Sequence, residues 1–290
     1  MSIQVGQAAS VKRTFLQSDF DRFAALSGDD NPIHVDPEFS ARTKFGRTVA
    51  HGMFLYSVVC GVLGTRLPGP GTLQIEQELM FASATPAGEE VTVRVEVTEV
   101  QAARGQGIGE LVDLTTLVIR PDGSPGLQGR TRVCPPGHLA LLGTDAPIPD
   151  SPSPHAAFKG MELGQRAQTR RTFTDTDLAE YANLTHDHNP LYIKPKYAQK
   201  AGLEGAVIPG GLLGGLFSYL LGTELPGRGT NYLKQRLFFP VPAYADRELT
   251  ASVEIIRIRP EKQLVNLSTV CTDAADTVVC YGEALVLISD

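Results

Sequence analysis

Several things are missing from this 290-residue sequence, and each absence removes a class of function. Basic residues do not predominate: 26 Lys and Arg stand against 32 Asp and Glu, with no basic run of the kind nucleic acid or an anionic membrane requires. Those two partners are set aside. The cysteines are few, Cys60, Cys134, Cys271 and Cys280, and none makes a C-x-x-C spacing. A chain of this length needs no disulfide scaffold, so reduced thiols and a cytoplasmic setting are expected, although spacing alone leaves one bridge open. No charged segment followed by a long apolar run opens the chain, so no signal peptide is expected. The longest apolar candidate, 211–221, falls well short of the roughly 20 residues of a membrane span.

What is present is a repeat. At an offset of 158, Val5–Phe81 lies on Leu163–Phe239 without a gap, and 27 of the 77 pairs are identical. Arg13-Thr14-Phe15 meets Arg171-Thr172-Phe173, Asn31-Pro32 meets Asn189-Pro190, and Leu67-Pro68-Gly69 meets Leu225-Pro226-Gly227. Further on the offset drops to 153, where Leu111–Leu114 meets Leu264–Leu267 and Gly129 meets Gly282. The chain therefore reads as two units, residues 1–134 and 159–290, joined over 135–158 by a proline-rich linker.

Each unit follows one plan. A first strand is expected near Lys12–Leu16, then a short helix with a start box at Ser18 and Asp21 that stops at Gly28. The run from Asp29 to Pro37 holds two prolines and is expected to be irregular. Leu55, Val58, Val59, Val62 and Leu63 have the spacing of a helix packed on a sheet, over Gly52–Arg66, closed by Pro68-Gly69-Pro70-Gly71. Strands follow at Leu73–Phe81, Val91–Val97, Leu111–Ile119 and Gly129–Cys134. The second unit places its long helix over Gly210–Gly222. One long helix and a run of antiparallel strands imply an α+β unit with a sheet wrapped around the helix, and bare apolar faces imply that the two units pair as a pseudo-dimer.

The motif Gly28-Asp29-Asp30-Asn31-Pro32-Ile33-His34, followed by Ala41, Phe45-Gly46 and Ala50-His51-Gly52-Met53, resembles the signature of the MaoC-like, R-specific enoyl-CoA hydratase family. The resemblance implies a double hot-dog fold and reversible syn addition of water across a trans-2-enoyl-CoA, giving a (3R)-3-hydroxyacyl-CoA. It places the catalytic aspartate on Asp29, the catalytic histidine on His34 and the oxyanion-binding backbone N–H on Gly52. Chemistry agrees with those roles, because a carboxylate and an imidazole gripping one water can take a proton from it and return one to C2. An N–H at a helix start stabilises charge building on a thioester oxygen, and the bare Gly52 is expected to let the thioester approach. Which of Asp29 and His34 plays base stays open at this point.

Asn31, His51, Met53 and Arg47 are assigned to substrate binding, with Asn31 fixing the loop by an Asx-type bond. Arg42, Lys44 and Arg47 could meet CoA phosphates or form a solvated face. No metal and no cofactor is expected, coenzyme A being part of the substrate. His186 and His188 flank a turn without a ligand partner at metal spacing.

The second unit keeps Asp187, Asn189 and Pro190 but has Tyr192 for His34, His188 for Asp30 and Pro209 for His51. One competent site per chain is expected, in the first unit. Gly210, Gly211, Gly214 and Gly215 could widen an acyl tunnel or permit close packing. A hot-dog thioesterase and a non-catalytic acyl-CoA-binding protein are the alternatives, and the double hot-dog chain could itself form a homodimer.

Overall fold

A computed structural model describes residues 2–101, 110–137 and 157–288. The first unit runs β1 (Ala8–Thr14), α1 (Gln17–Ser27), α2 (Pro32–Val35), α3 (Pro37–Ala41), α4 (Gly52–Thr65), β2 (Leu73–Phe81), β3 (Glu90–Gln101), β4 (Leu111–Ile119) and β5 (Pro125–Cys134). A two-residue hairpin, β6 (Ala157–Phe158) and β7 (Met161–Glu162), precedes the second unit. That unit runs β8 (Arg166–Thr172), α5 (Asp175–Thr185), α6 (Pro190–Ile193), α7 (Pro195–Lys200), α8 (Gly210–Tyr219) with a π-helical turn at Leu220–Glu224, and β9 (Thr230–Phe238), β10 (Glu248–Arg259), β11 (Leu264–Asp273) and β12 (Val278–Ile288).

Ten strands form one antiparallel sheet in the order β1-β3-β4-β5-β2-β9-β12-β11-β10-β8. The order reads the same from either end once each strand is replaced by its repeat partner. Two hot-dog units are thus fused along β2 and β9, where the ladder sets Glu78 opposite Arg236. Those are partner positions of opposite charge, and Arg236 also reaches Glu76 at 2.7 Å across the seam. The concave side of the sheet holds α4 and α8.

The apolar spacing in α4 predicts one buried face, yet every residue from Met53 to Gly64 is buried. The reason is the pairing itself, since α4 has the sheet on one side and α8 with α1 on the other. The glycines of α8 exist for that contact. A Cβ on Gly211 would come within 2.3 Å of Ser57 Oγ, and one on Gly214 within 2.7 Å of Met53 Sδ. They permit close helix packing and open no tunnel.

Three local expectations are corrected. The start of α1 is capped at Leu16, not Ser18, because Asp19 Oδ2 reaches back to accept the Leu16 N–H at 3.0 Å. The Asp29–Pro37 run is not irregular throughout: Pro32 and Pro37 each occupy the first turn of a short helix, where a missing N–H costs nothing. Ala157–Phe158, taken as linker, pairs as β6; the rest of the linker beyond Gly137 lies outside the described residues. Cys271 and Cys280 face each other on neighbouring strands, and all four cysteines are buried thiols. Among the described residues no helix is long and apolar enough to cross a membrane.

Candidate active site

The motif loop is held by its own backbone chemistry. Gly28 ends α1 in the left-handed region (φ 84°), which turns the chain sharply so that Asp29 points inward. Ser27 Oγ accepts the Asp29 N–H at 3.2 Å, and Asn31 caps α2 by accepting the Ile33 N–H at 3.4 Å. The second motif segment is tied to the first, as Val49 N–H donates to the Ile33 carbonyl at 3.1 Å and Ala50 N–H to the Thr85 carbonyl at 2.9 Å. His34 on α2 and Gly52 at the start of α4 are thereby brought to one place.

Asp29, His34 and His51 are all buried, and their potential ligand atoms lie within 4.8 Å of one another. His34 Nδ1 donates to the Val49 carbonyl at 2.7 Å. A carbonyl only accepts, so Nδ1 carries the proton and the neutral ring offers the lone pair of Nε2. His51 Nε2 donates to the Asp29 carbonyl at 2.9 Å, and its ring stacks on His34 at 3.8 Å and 29°. His51 therefore pins the aspartate's backbone and backs the histidine ring, without lining the cleft.

Could the trio hold a metal ion? Each ring already commits one nitrogen to a carbonyl. Stacked rings aim their remaining in-plane lone pairs along near-parallel planes, away from a common point about 2 Å from both nitrogens. The geometry suits proton handling better than ligation.

A residue that the sequence does not announce completes the arrangement. Ser218 Oγ, on α8 of the second unit, donates to Asp29 Oδ2 at 2.6 Å. Asp29 Oδ1 accepts the Asn31 N–H at 3.4 Å. Burial pushes the Asp29 carboxyl above its ordinary range, opposed by the neighbouring His34 and the Ser218 bond. Burial likewise pushes His34 down, opposed by Asp29. Burial thus disfavours the charged form of each group, and the partner opposes that effect in both.

Asp29, His34, Asn31, Gly52 and Ser218 line a cavity of about 240 Å³. The first unit also contributes Lys44, Phe45, Ser83, Ala84, Thr85 and Gly126 to its wall; the second contributes Leu221, Gly222, Thr230, Asn231, Tyr232, Leu233 and Leu287. The site is composite, so neither unit holds a whole one.

Three expectations change here. Met53 is fully buried against α8 and does not line the cavity, because the residue after the helix start turns its side chain toward the partner helix. Arg47 is exposed and bound elsewhere, to the Ala87 carbonyl at 3.2 Å and Glu89 at 3.6 Å; Lys44 is the cation at the mouth. Gly52 lacks a side chain for packing: a Cβ would lie 2.7 Å from the Phe81 ring, as one on Gly210 would from Phe239. His186 and His188 are exposed beside the buried Asp187.

The fold and this composite cleft define a class, the tandem double hot-dog. Solved structures agree: a MaoC-like dehydratase superposes with a TM-score of 0.76 at 17% identity over 98% of both chains. A Mycobacterium tuberculosis protein described as a double hotdog fold gives 0.74 at 16% identity over 98% of this chain and 97% of that one. The MaoC like domain model matches residues 2–118 and 159–275. The (R)-specific enoyl-CoA hydratase of Aeromonas caviae is 37% identical over 128 residues, covering 44% of this chain and 96% of that protein. The 3-hydroxybutyryl-CoA dehydratase of Methylorubrum extorquens is 44% identical over 97 residues, 33% of this chain and 62% of that protein. The chain belongs to the MaoC-like domain family and is an enzyme of its hydro-lyase class.

Proposed function

We propose that this enzyme catalyses the reversible hydration of trans-2-enoyl-CoA to (3R)-3-hydroxyacyl-CoA, at one site per chain. The observation that carries the reading is the buried Asp29/His34 pair on the cavity wall, with His34 Nε2 left as an acceptor by the Val49 bond.

In the hydration direction a water bound between the two side chains gives a proton to His34 Nε2 as its oxygen attacks C3. Negative charge moves to the thioester oxygen, which sits at the N-terminus of α4 where the Gly52 N–H points out of the helix. C2 then takes a proton from the carboxyl of Asp29, and transfer from His34 to Asp29 through the next water restores the pair. Water oxygen and proton add to the same face because both donors lie on one wall. Ser218 holds Asp29 Oδ2 so that the other oxygen faces the reacting carbon. The Asp29 carboxyl suits the acid role because burial raises it toward the working range, while burial keeps His34 unprotonated and ready as base. These groups and one backbone N–H carry the whole sequence, so the proposed chemistry calls for no resident cofactor.

The test is loss of enoyl absorbance with crotonyl-CoA alongside a thiol-reactive dye. Hydration without free thiol supports the reading. Thiol release without hydration would instead indicate a thioesterase, and absence of both with tight acyl-CoA binding a non-catalytic protein.

A further inference from the structure

The two walls of the cavity differ in chemistry, and that difference assigns the substrate's direction. The first-unit wall carries the exposed Lys44; the second-unit wall carries no charged side chain, and Leu221, Leu233, Leu287 and Tyr232 stand there beside Thr230 and Asn231. A polyanionic CoA suits the first wall, and an apolar acyl tail the second.

On that second wall stands Tyr232. Its ring packs at 5.0 Å against Phe81, which lies on Gly52, so Tyr232 is close to the reacting thioester. It is also locked: its hydroxyl donates to Gln235 Oε1, and Gln235 is buried and fixed by bonds to Thr269 Oγ1 at 3.0 Å and the Arg236 carbonyl at 2.7 Å. A ring held at both ends does not swing aside cheaply.

The repeat makes the same point from the other half. Tyr232 and Gly214 correspond to Gln74 and Tyr56. Beside the second pocket the tyrosine comes from the helix: Tyr56 on α4 donates to Gln74 Oε1, a residue of that pocket's wall, at 2.6 Å. In the first unit's cavity the tyrosine comes from strand β9 and is itself part of the wall.

We infer that Tyr232 ends the acyl pocket and confines this enzyme to short acyl chains. This rests on the hydratase reading. The cavity of about 240 Å³ lies below the roughly 300–1,000 Å³ of clefts that take drug-sized ligands.

The experiment compares crotonyl-CoA with trans-2-octenoyl-CoA for the wild type, Tyr232→Ala and Tyr232→Phe, and calorimetric binding of butyryl-CoA with octanoyl-CoA. The wild type is expected to favour the four-carbon substrate in kcat/KM by at least about 10-fold. Tyr232→Ala is expected to move that ratio by about 10-fold or more toward the longer chain, while Tyr232→Phe keeps the wild-type preference because the ring remains. Equal use of both chains by the wild type, or an unchanged ratio in Tyr232→Ala, overturns the inference. Where Tyr232→Ala melts early, Tyr232→Leu is expected to show the same shift to a smaller extent, and no shift there also overturns it. If nothing is hydrated but binding shows the same preference and the same reversal, the wall assignment stands and the hydratase reading falls; if neither chain binds, both fall.

Discussion

The cavity of about 240 Å³ in the first unit has a counterpart of only about 20 Å³ in the second, lined by the corresponding residues. His34 becomes Tyr192, Ala50 becomes Ile208, Ser83 becomes Val241, Ala84 becomes Pro242 and Gly126 becomes Val279. Nearly every change adds bulk or removes polarity. Ser218, which bonds Asp29, becomes Cys60, whose thiol turns instead toward Gln74 at 3.6 Å. The carboxylate survives: Asp187 is buried like Asp29, but Tyr192 stands where His34 would be and its Oδ2 has no hydrogen-bond partner. The second pocket therefore lacks the counterpart of His34, the aspartate's serine and the space, while the turn that presents the aspartate is kept because Asp187 and Asn189 still organise the backbone there. The buried carboxyl is common to both pockets; the larger volume and the His34 imidazole belong to the first.

Each substitution below tests one difference or one likeness between the two pockets. The largest effect is expected from His34→Tyr and Asp29→Asn, each lowering kcat/KM for crotonyl-CoA by about 10³-fold or more, with far-UV circular dichroism unchanged. Retention of most activity in both would dissolve the contrast between the pockets. Next, Ala50→Ile and Gly126→Val, which import the bulk of the twin, should lower kcat/KM about 10- to 100-fold, chiefly through KM. Gly126→Val also brings a Cβ within 2.4 Å of Thr85 Oγ1, so acyl-CoA calorimetry on a folded sample is the readout.

Ser218→Ala is expected to cost up to about 10-fold in kcat with little change in KM, since one hydrogen bond to a neutral carboxyl contributes roughly 0.5–1.5 kcal/mol. Restoration by Ser218→Thr would assign the effect to the hydroxyl, and an equal loss in KM would argue against a positioning role.

The smallest change in activity, none, is expected from Asp187→Asn. Burial raises the Asp187 pKa well above its ordinary value, so the folded state binds its proton more tightly than the unfolded state does. Stability is then fully present below the ordinary carboxylate pKa and falls as pH rises toward the folded-state value. Replacing Asp187 with the uncharged amide should raise the melting temperature at neutral pH and flatten its dependence on pH. A lower melting temperature at pH 7 would show that the ionised carboxylate is stabilised after all.

Much of this was legible in the residues. The repeat offset exposed two units, Gly28 marked the end of α1, and the spacing of Leu55, Val59 and Val62 marked α4. Local reading failed where a tertiary partner competes. Leu16 caps α1 because Asp19 reaches back to its N–H, although Ser18 is the better capping residue by type. Met53 belongs to the motif yet faces α8. Ser218 lies 189 residues from Asp29 and carries no motif, so nothing short of the folded pair of units could reveal it.

The sequence by itself determined that two copies of one unit exist, and that only the first has a histidine two residues after the Asn-Pro pair, where the second has Tyr192. Turn chemistry, helix period and residue type are local properties, readable without a partner. Tertiary structure alone decided that the cleft spans both units, that Ser218 bonds Asp29, and that Tyr232 forms part of its wall. Those facts depend on how α8 and β9 of one copy pack against the loop of the other, and packing across a seam leaves no periodic trace in either strand of sequence.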